Sequence, residues 1–232
     1  MKIIEFKNVE KSFNDKKVIN TLSFSINKNE IVALIGTNGA GKTTTIRLIL
    51  GIIKPDNGII KRFTKSVGAQ LQATPFFEGF SVEDNLKFFS TFYQSDISDT
   101  KIDNILKNYN LSSVKTTPAS KLSLGQQKRL AISITTLHDP EFIILDEPSS
   151  GLDPSGQKDV QNMIRELKRN GKSILFSSHD MLEVRNTADK ILIMDQGKLL
   201  ERGTPEDLLE KYGVLDLEEL FYLLTKKENT YV

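Results

Sequence analysis

Four short runs of the chain are apolar at every position: Ile31-Val32-Ala33-Leu34-Ile35, Phe142-Ile143-Ile144-Leu145, Ile174-Leu175-Phe176 and Ile191-Leu192-Ile193-Met194. A strand with one wet face alternates apolar and polar side chains, whereas a strand covered on both faces has no such need. The runs therefore predict buried strands of a parallel sheet. Helical spacing separates them. Val160, Met163, Ile164 and Leu167 recur at i, i+3, i+4 and i+7, which places one apolar stripe on a helix. Asp153 stands where it can cap that helix, Pro154 occupies its first turn, and Gly171 follows its end. Strand and helix in alternation predict an α/β fold.

Two regions break the alternation. Residues 76–137 carry no comparable strand run. Ser81 and Asp84 form a capping-box pattern ahead of Val82, Leu86 and Phe89, and Ile102, Ile105, Leu106 and Tyr109 make a second stripe. This predicts an all-helical insertion in an α/β core made of residues 1–75 and 138–232, the whole being one domain. Residues 3–26 alternate more openly and predict edge strands of an antiparallel sheet. Residues 61–66 are too short and polar to assign. Near the end, Leu217, Leu220, Phe221 and Leu224 form a stripe that packing onto the core explains better than a partner does.

Composition narrows the class. A net charge of +1 offers no general handle for nucleic acid, and the absence of cysteine removes disulfides and favours a reducing compartment. The longest uncharged, mostly apolar stretch, residues 130–137, falls well short of the roughly twenty residues a spanning helix needs. A charge follows too soon after Met1 for a signal peptide. A soluble protein is expected, so any membrane part must come from other chains.

The first run leads into Gly36-Thr37-Asn38-Gly39-Ala40-Gly41-Lys42-Thr43, a phosphate-binding loop between a buried strand and a helical stretch, residues 44–50. Glycines let successive N–H groups turn inward to form an anion cradle, and the following helix presents its positive end. Lys42 can reach the β- and γ-phosphates of a nucleotide, and the Thr43 hydroxyl can ligate Mg²⁺. Thr44 continues the cradle. The second run ends in Asp146-Glu147, a carboxylate pair at a strand exit. Acids often mark such exits, but downstream of a phosphate loop Asp146 suits Mg²⁺ and Glu147 suits the polarising of an attacking water.

Between these two motifs lies Leu122-Ser123-Leu124-Gly125-Gln126. Alone it reads as a capped helix start, because Ser123 and Gln126 also make a capping box. In the order phosphate loop, helical insertion, this pentapeptide, then strand and Asp-Glu, the chain resembles the nucleotide-binding subunit of ABC transporters over nearly its whole length. That resemblance implies a P-loop NTPase core with a mostly parallel sheet, an N-terminal antiparallel β-subdomain and the inserted helical subdomain. It also implies further site residues. Phe13 would stack on adenine, Gln72 in the Q-loop would meet Mg²⁺ and the transmembrane partner, and Ser123, Gly125 and Gln126 would form the signature. Asp153 would end a D-loop, Ser150-Gly151-Leu152-Asp153, and His179 would contact the γ-phosphate. Gln70 is a nearby competitor for Gln72, and His138 reads as structural.

Two departures stand out. Leu124 replaces the family's usual first signature glycine, and with Gln127-Lys128-Arg129 it looks more like drug- and antibiotic-exporting branches than solute importers. The fourteen positions from Gly58 to Gln72 are fewer than usual, which should trim the β-subdomain. The family's mode of action implies ATP and Mg²⁺ as ligands and a head-to-tail pair of cassettes, either identical or merely related, with ATP at their interface. It further implies transmembrane permease subunits as partners and a peripheral place on the cytoplasmic face of the membrane. Phe76-Phe77-Glu78-Gly79-Phe80 would help receive the permease, although clustered phenylalanines can equally be core. Competing readings are an importer ATPase, a soluble ABC protein acting on DNA or ribosomes, and a non-hydrolysing regulatory module. Leu124 weighs against the first. The lack of long coiled-coil insertions or a second cassette weighs against the second, and Glu147 with His179 against the third.

Overall fold

In the computed structural model, which describes residues 1–71, 76–93 and 97–227, the predicted runs form the centre of a six-stranded sheet. Its strands are β3 (Ile31–Gly36), β5 (Val67–Gln70), β6 (Phe142–Asp146), β7 (Ser173–Ser177), β8 (Lys190–Asp195) and β9 (Lys198–Gly203), in the order β5-β6-β7-β3-β8-β9. All neighbours pair in parallel except β9, which returns antiparallel along β8. Every residue of β3, β6 and β7 is buried.

The period of two survives inside these runs, hidden because both faces are dry. Ile31, Ala33, Ile35, Ile143, Leu145, Ile174, Phe176, Ile191 and Ile193 face one core. Their neighbours Val32, Leu34, Phe142, Ile144, Leu175, Leu192 and Met194 face a second. The first core is closed by helices: α2 (Val82–Phe92), α3 (Asp99–Asn108), α4 (Leu124–Thr136), α5 (Pro154–Arg169), α6 (Met181–Thr187), α7 (Pro205–Tyr212) and α8 (Leu217–Lys227). The second is closed by α1 (Lys42–Leu50) and a separate antiparallel sheet of β1 (Lys2–Phe13), β2 (Lys16–Asn27) and β4 (Asn57–Arg62), ordered β2-β1-β4. Here the alternation is open, with Ile3, Ile4, Phe6, Val9, Ile19, Leu22, Phe24 and Ile26 inside.

Local signals set the helix ends. Ser81 and Asp84 make the reciprocal capping box at α2, and Ser123 and Gln126 make another at α4. The Asp153 carboxylate accepts the Gly156 N–H at the start of α5, with Pro154 in the first turn. No strand occurs among the described residues of 76–137. Leu217 and Leu220 are buried, so the C-terminal stripe packs on the core as expected.

Three strands were not foreseen, among them β9, Lys198–Gly203, the antiparallel edge of the main sheet. β5, Val-Gly-Ala-Gln, has too little apolar bulk to read as a run, yet it pairs along β6. The unassigned polar stretch around residues 61–66 begins inside β4, where only one residue is even partly covered.

Ile143 lies fully buried and Ile59 is 54% exposed. Ile143→Ala is expected to lower unfolding free energy by about 3 kcal/mol, and Ile59→Ala by less than about 0.5 kcal/mol. Urea unfolding followed by circular dichroism measures both.

Candidate functional site

The carboxyl ends of β6, β7, β3 and β8 lie side by side and deliver Asp146, Ser177, Gly36 and Asp195 to one edge of the sheet. Crevices at such an edge are where open α/β sheets bind ligands. Residues 36–43 wrap this edge. Gly36 must lack a side chain, because a Cβ there would stand 2.4 Å from the Met194 carbonyl oxygen. Gly41, at φ 102°, turns the chain into α1 in a conformation that suits glycine. The loop is braced at its outset by the Thr37 hydroxyl, which donates to Asp195 at 2.5 Å. Ala40 N–H donates to the Thr37 carbonyl, and the Ala40 carbonyl in turn accepts from Gly197 N–H.

A cavity of about 290 Å³ opens over this loop, lined by Asn38, Gly39, Gly41, Lys42, Thr43, Thr44, Asp146, Glu147 and Val18. The Lys42 ammonium is folded back on the loop, donating to the carbonyls of Gly36 at 2.7 Å and Thr37 at 3.2 Å. Burial lowers its pKa, and the charges of Glu147 and Asp146 pull the other way. A phosphate would replace two neutral carbonyl acceptors with charged ones, a stronger match for an ammonium.

The carboxylates are set by a serine. Ser177 Oγ donates to Asp146 Oδ1 at 2.5 Å and accepts the Glu147 N–H at 2.9 Å. The other Asp146 oxygen, Oδ2, is buried and has no hydrogen-bond partner. An orphaned carboxylate oxygen beside a phosphate cradle and the Thr43 hydroxyl fits a hydrated divalent cation. Glu147 adopts φ 52°, a left-handed conformation that costs a non-glycine residue roughly 1 kcal/mol or more. Its carbonyl accepts from Lys128 Nζ at 3.2 Å. Burial lowers the pKa of Lys128 also, against the charges of Glu147 and Asp146.

A larger cavity, about 660 Å³, continues from Gly36, Thr37, Asn38 and Glu147 past His179 and Met181 to Phe221 and Tyr222 of α8. His179 Nδ1 lies 3.5 Å from Glu147 Oε1 on an exposed loop. Behind that loop is a buried carboxylate. Glu183 accepts hydrogen bonds from the hydroxyls of Ser149 and Ser178. Burial drives its pKa up, while those two hydroxyls act the other way.

The remaining expected residues lie elsewhere. Ser123, Gly125 and Gln126 line neither cavity. Ser123 Oγ accepts Gln126 N–H, and Gln126 Oε1 accepts Ser123 N–H at 2.9 Å, so the Gln126 amide is occupied in capping α4. Leu124 is exposed and comes against Gly151, whose Cβ, if present, would be 3.1 Å from Leu124 Cδ2. Asp153 sits in the same neighbourhood as the cap of α5. Phe13 is 43% exposed at the end of β1, which removes the reading of it as a core aromatic. The Lys11 ammonium lies over its ring, 5.4 Å from the centroid. Gln72 lies outside the described residues. Its competitor Gln70 is buried and donates to the Leu71 carbonyl. His138 stacks on Tyr93 and reaches the Val67 carbonyl, a structural role.

Val18, Ser149, Ser177 and Glu183 were not singled out from sequence, and Lys128 was read only as part of the run after the signature. Serines carry no pattern of their own, and Ser177 is joined to Asp146 across 31 residues. Only the strand end beside the Asp-Glu pair could have drawn attention to it.

Residues 19–150 match the ABC transporter family. A lantibiotic transport ATP-binding protein of Streptococcus pyogenes is 32% identical over 94% of this chain and 96% of its own. A Nod factor export ATP-binding protein of Burkholderia orbicola is 32% identical over 94% of this chain and 76% of its own. Among solved structures, an ATP-binding subunit of an ABC transporter superposes with a TM-score of 0.84 at 26% identity, covering 96% of this chain and 99% of that one.

Ser177→Ala leaves both Asp146 oxygens without a donor and is expected to cost about 1–3 kcal/mol of stability. Ser177→Thr, which retains the hydroxyl, should recover most of it. Chemical denaturation of the three proteins checks this, and an unchanged midpoint in Ser177→Ala would remove the bridge.

Proposed function

The chain belongs to the ABC transporter family as an ATP-binding, ATP-hydrolysing cassette, and on that premise we propose that it is the peripheral motor of an exporter whose membrane-spanning subunits are separate chains. The observation that carries the hydrolytic part is the pairing at the phosphate loop of an orphaned Asp146 oxygen with Glu147 directly beside it. No helix among the described residues is long and apolar enough to cross a membrane, which accords with a separate permease. The export direction rests on relatives named for Nod factor export and on Leu124.

Gly36 to Thr44 cradle the phosphates through backbone N–H groups, and Lys42 moves from its carbonyls onto the β- and γ-phosphate oxygens. Phe13 offers its exposed ring to adenine. Thr43 and Asp146, with Gln72, would hold Mg²⁺, which would supply charge neutralisation at the phosphates. Glu147 takes the hydrogen bond of the water that attacks the γ-phosphorus, and His179 steadies the phosphate from across the same opening.

The signature does not line this cradle in its own chain. Ser123 sits exposed at the start of a 13-residue helix, whose first N–H groups favour an anion. That separation supports a head-to-tail pair of cassettes, in which Ser123 and Gly125 of each close over the γ-phosphate of the other and Asp153 lies at the seam. ATP binding draws the pair together and hydrolysis releases it. Phe77, Phe80, Phe88 and Phe92 form an exposed aromatic cluster suited to a permease segment.

Glu147→Gln is expected to bind ATP with unchanged affinity while phosphate release falls to less than about a tenth of wild type, because the water loses its acceptor. The same variant should dimerise with saturating Mg-ATP. Turnover near wild type would remove the role given to Glu147. A monomer by light scattering, both alone and with its permease, would remove the paired cassette.

A further inference from the structure

One buried charged side chain has no part in the chemistry above. Glu183, 3% exposed in the first turn of α6, reaches two loops that are far apart in sequence. One carboxylate oxygen, Oε1, accepts the Ser149 hydroxyl. The other, Oε2, accepts the Ser178 hydroxyl at 2.6 Å. Both serines are themselves 3% exposed, so neither bond competes with bulk water.

Each serine is also a local anchor. The Ser149 carbonyl accepts the Leu152 N–H, so the turn carrying Ser150, Gly151 and Leu152 hangs from Ser149 and leads directly into Asp153. On the other side His179 is suspended between two pinned residues. Ser178 Oγ accepts the Asp180 N–H at 3.1 Å, and Asp180 Oδ1 accepts the Glu183 N–H at 2.9 Å. His179 itself makes no such tie and projects into solvent toward Glu147. Its placement is therefore set by the residues on either side.

We propose that Glu183 is a positioning residue that locks the His179 loop to the Ser149–Asp153 turn, so that the turn and the histidine move as one body. A buried carboxylate is costly unless each oxygen is satisfied, and an alternative placement of either loop would strip it of a donor. The energetic penalty for independent motion is built into the tie. The inference rests on the hydrolytic reading of Glu147 and His179. Its consequence is that whatever seats or disturbs the turn at residues 150–153 reaches His179 through Glu183 as well as Glu147, whose carbonyl accepts the Ser150 N–H, while the phosphate loop is braced separately by Thr37 and Asp195.

The test is a double-mutant cycle on the whole protein: Ser149→Ala and Ser178→Ala, singly and together, with ATP affinity from equilibrium titration and turnover from phosphate release. Each single substitution is expected to lower kcat about tenfold or more, a common effect of misplacing a reacting group. ATP affinity should stay within about twofold, since the interaction lost acts after binding. The double variant should be no slower than the worse single, because cutting either arm severs the tie. Ser178→Thr, which keeps the hydroxyl, should restore most of kcat.

Losses that multiply in the double variant, ATP affinity that falls in step with turnover, or an unaltered kcat in Ser149→Ala would each overturn the proposal. Should Ser178→Ala fail to fold, Ser149→Ala and the equal-volume Glu183→Gln carry the test, both expected to lower kcat at unchanged ATP affinity. Full turnover in Glu147→Gln and His179→Ala would instead overturn the hydrolytic reading beneath it, a result the serine variants cannot mimic.

Discussion

A parallel sheet is tolerated only with both faces covered, and here that constraint organises the molecule. The strands β3, β6, β7 and β8 each divide their side chains between two cores, one roofed by helices and one by the antiparallel sheet with α1. With both faces closed, the ends of the strands are the places left for polar chemistry. The carboxyl edge collects Gly36, Asp146, Ser177 and Asp195 from four adjacent strands, and Thr37, Lys42 and Glu147 are each hydrogen-bonded to one of these. Rigidity follows from the same burial. Asp146 stands at the end of a strand with no exposed residue, so its free oxygen holds its direction without a ligand to fix it.

Much of this edge was legible in the sequence because backbone demands leave coarse marks. A strand dry on both faces must be apolar throughout, and a loop that approaches a carbonyl as closely as Gly36 approaches Met194 must lack a Cβ. Capping boxes at Ser81 and Ser123 were equally visible, since both halves lie three residues apart. What escaped notice depends on distant pairs of ordinary residues. β5 is a strand because β6 offers it a ladder, and its own four residues have small claim to that state. Ser177, Lys128 and Glu183 acquire meaning only when folding carries them to Asp146, Glu147, Ser149 and Ser178. No spacing rule joins residue 128 to residue 147.

The capping box at Ser123 illustrates how one local device serves two levels. As stability, it satisfies N–H groups at the start of α4 that would otherwise lack partners. It also leaves Ser123 and the helix N-terminus exposed, lining neither cavity at the chain's own phosphate loop. Leu124, where the resemblance leads one to expect glycine, is exposed and its side chain leans on Gly151 of the neighbouring turn. The substitution therefore brings the start of α4 against the turn at Gly151.

That contact gives the turn at residues 149–153 two neighbours with different duties. From outside, Leu124 rests on it beside the signature; from beneath, Glu183 holds it to the loop of His179. A load on the signature face thus has a packed, hydrogen-bonded route to the residue facing Glu147, and no part of that route passes through the phosphate cradle. In the paired cassette proposed above, where ATP is bound before the partner closes and cleaved afterwards, such a separation is useful. Affinity is vested in the Gly36–Thr44 loop, braced by Asp195. In the proposed cycle, competence for cleavage is vested in the placement of His179 and Glu147, which would answer to the surface a second cassette presses.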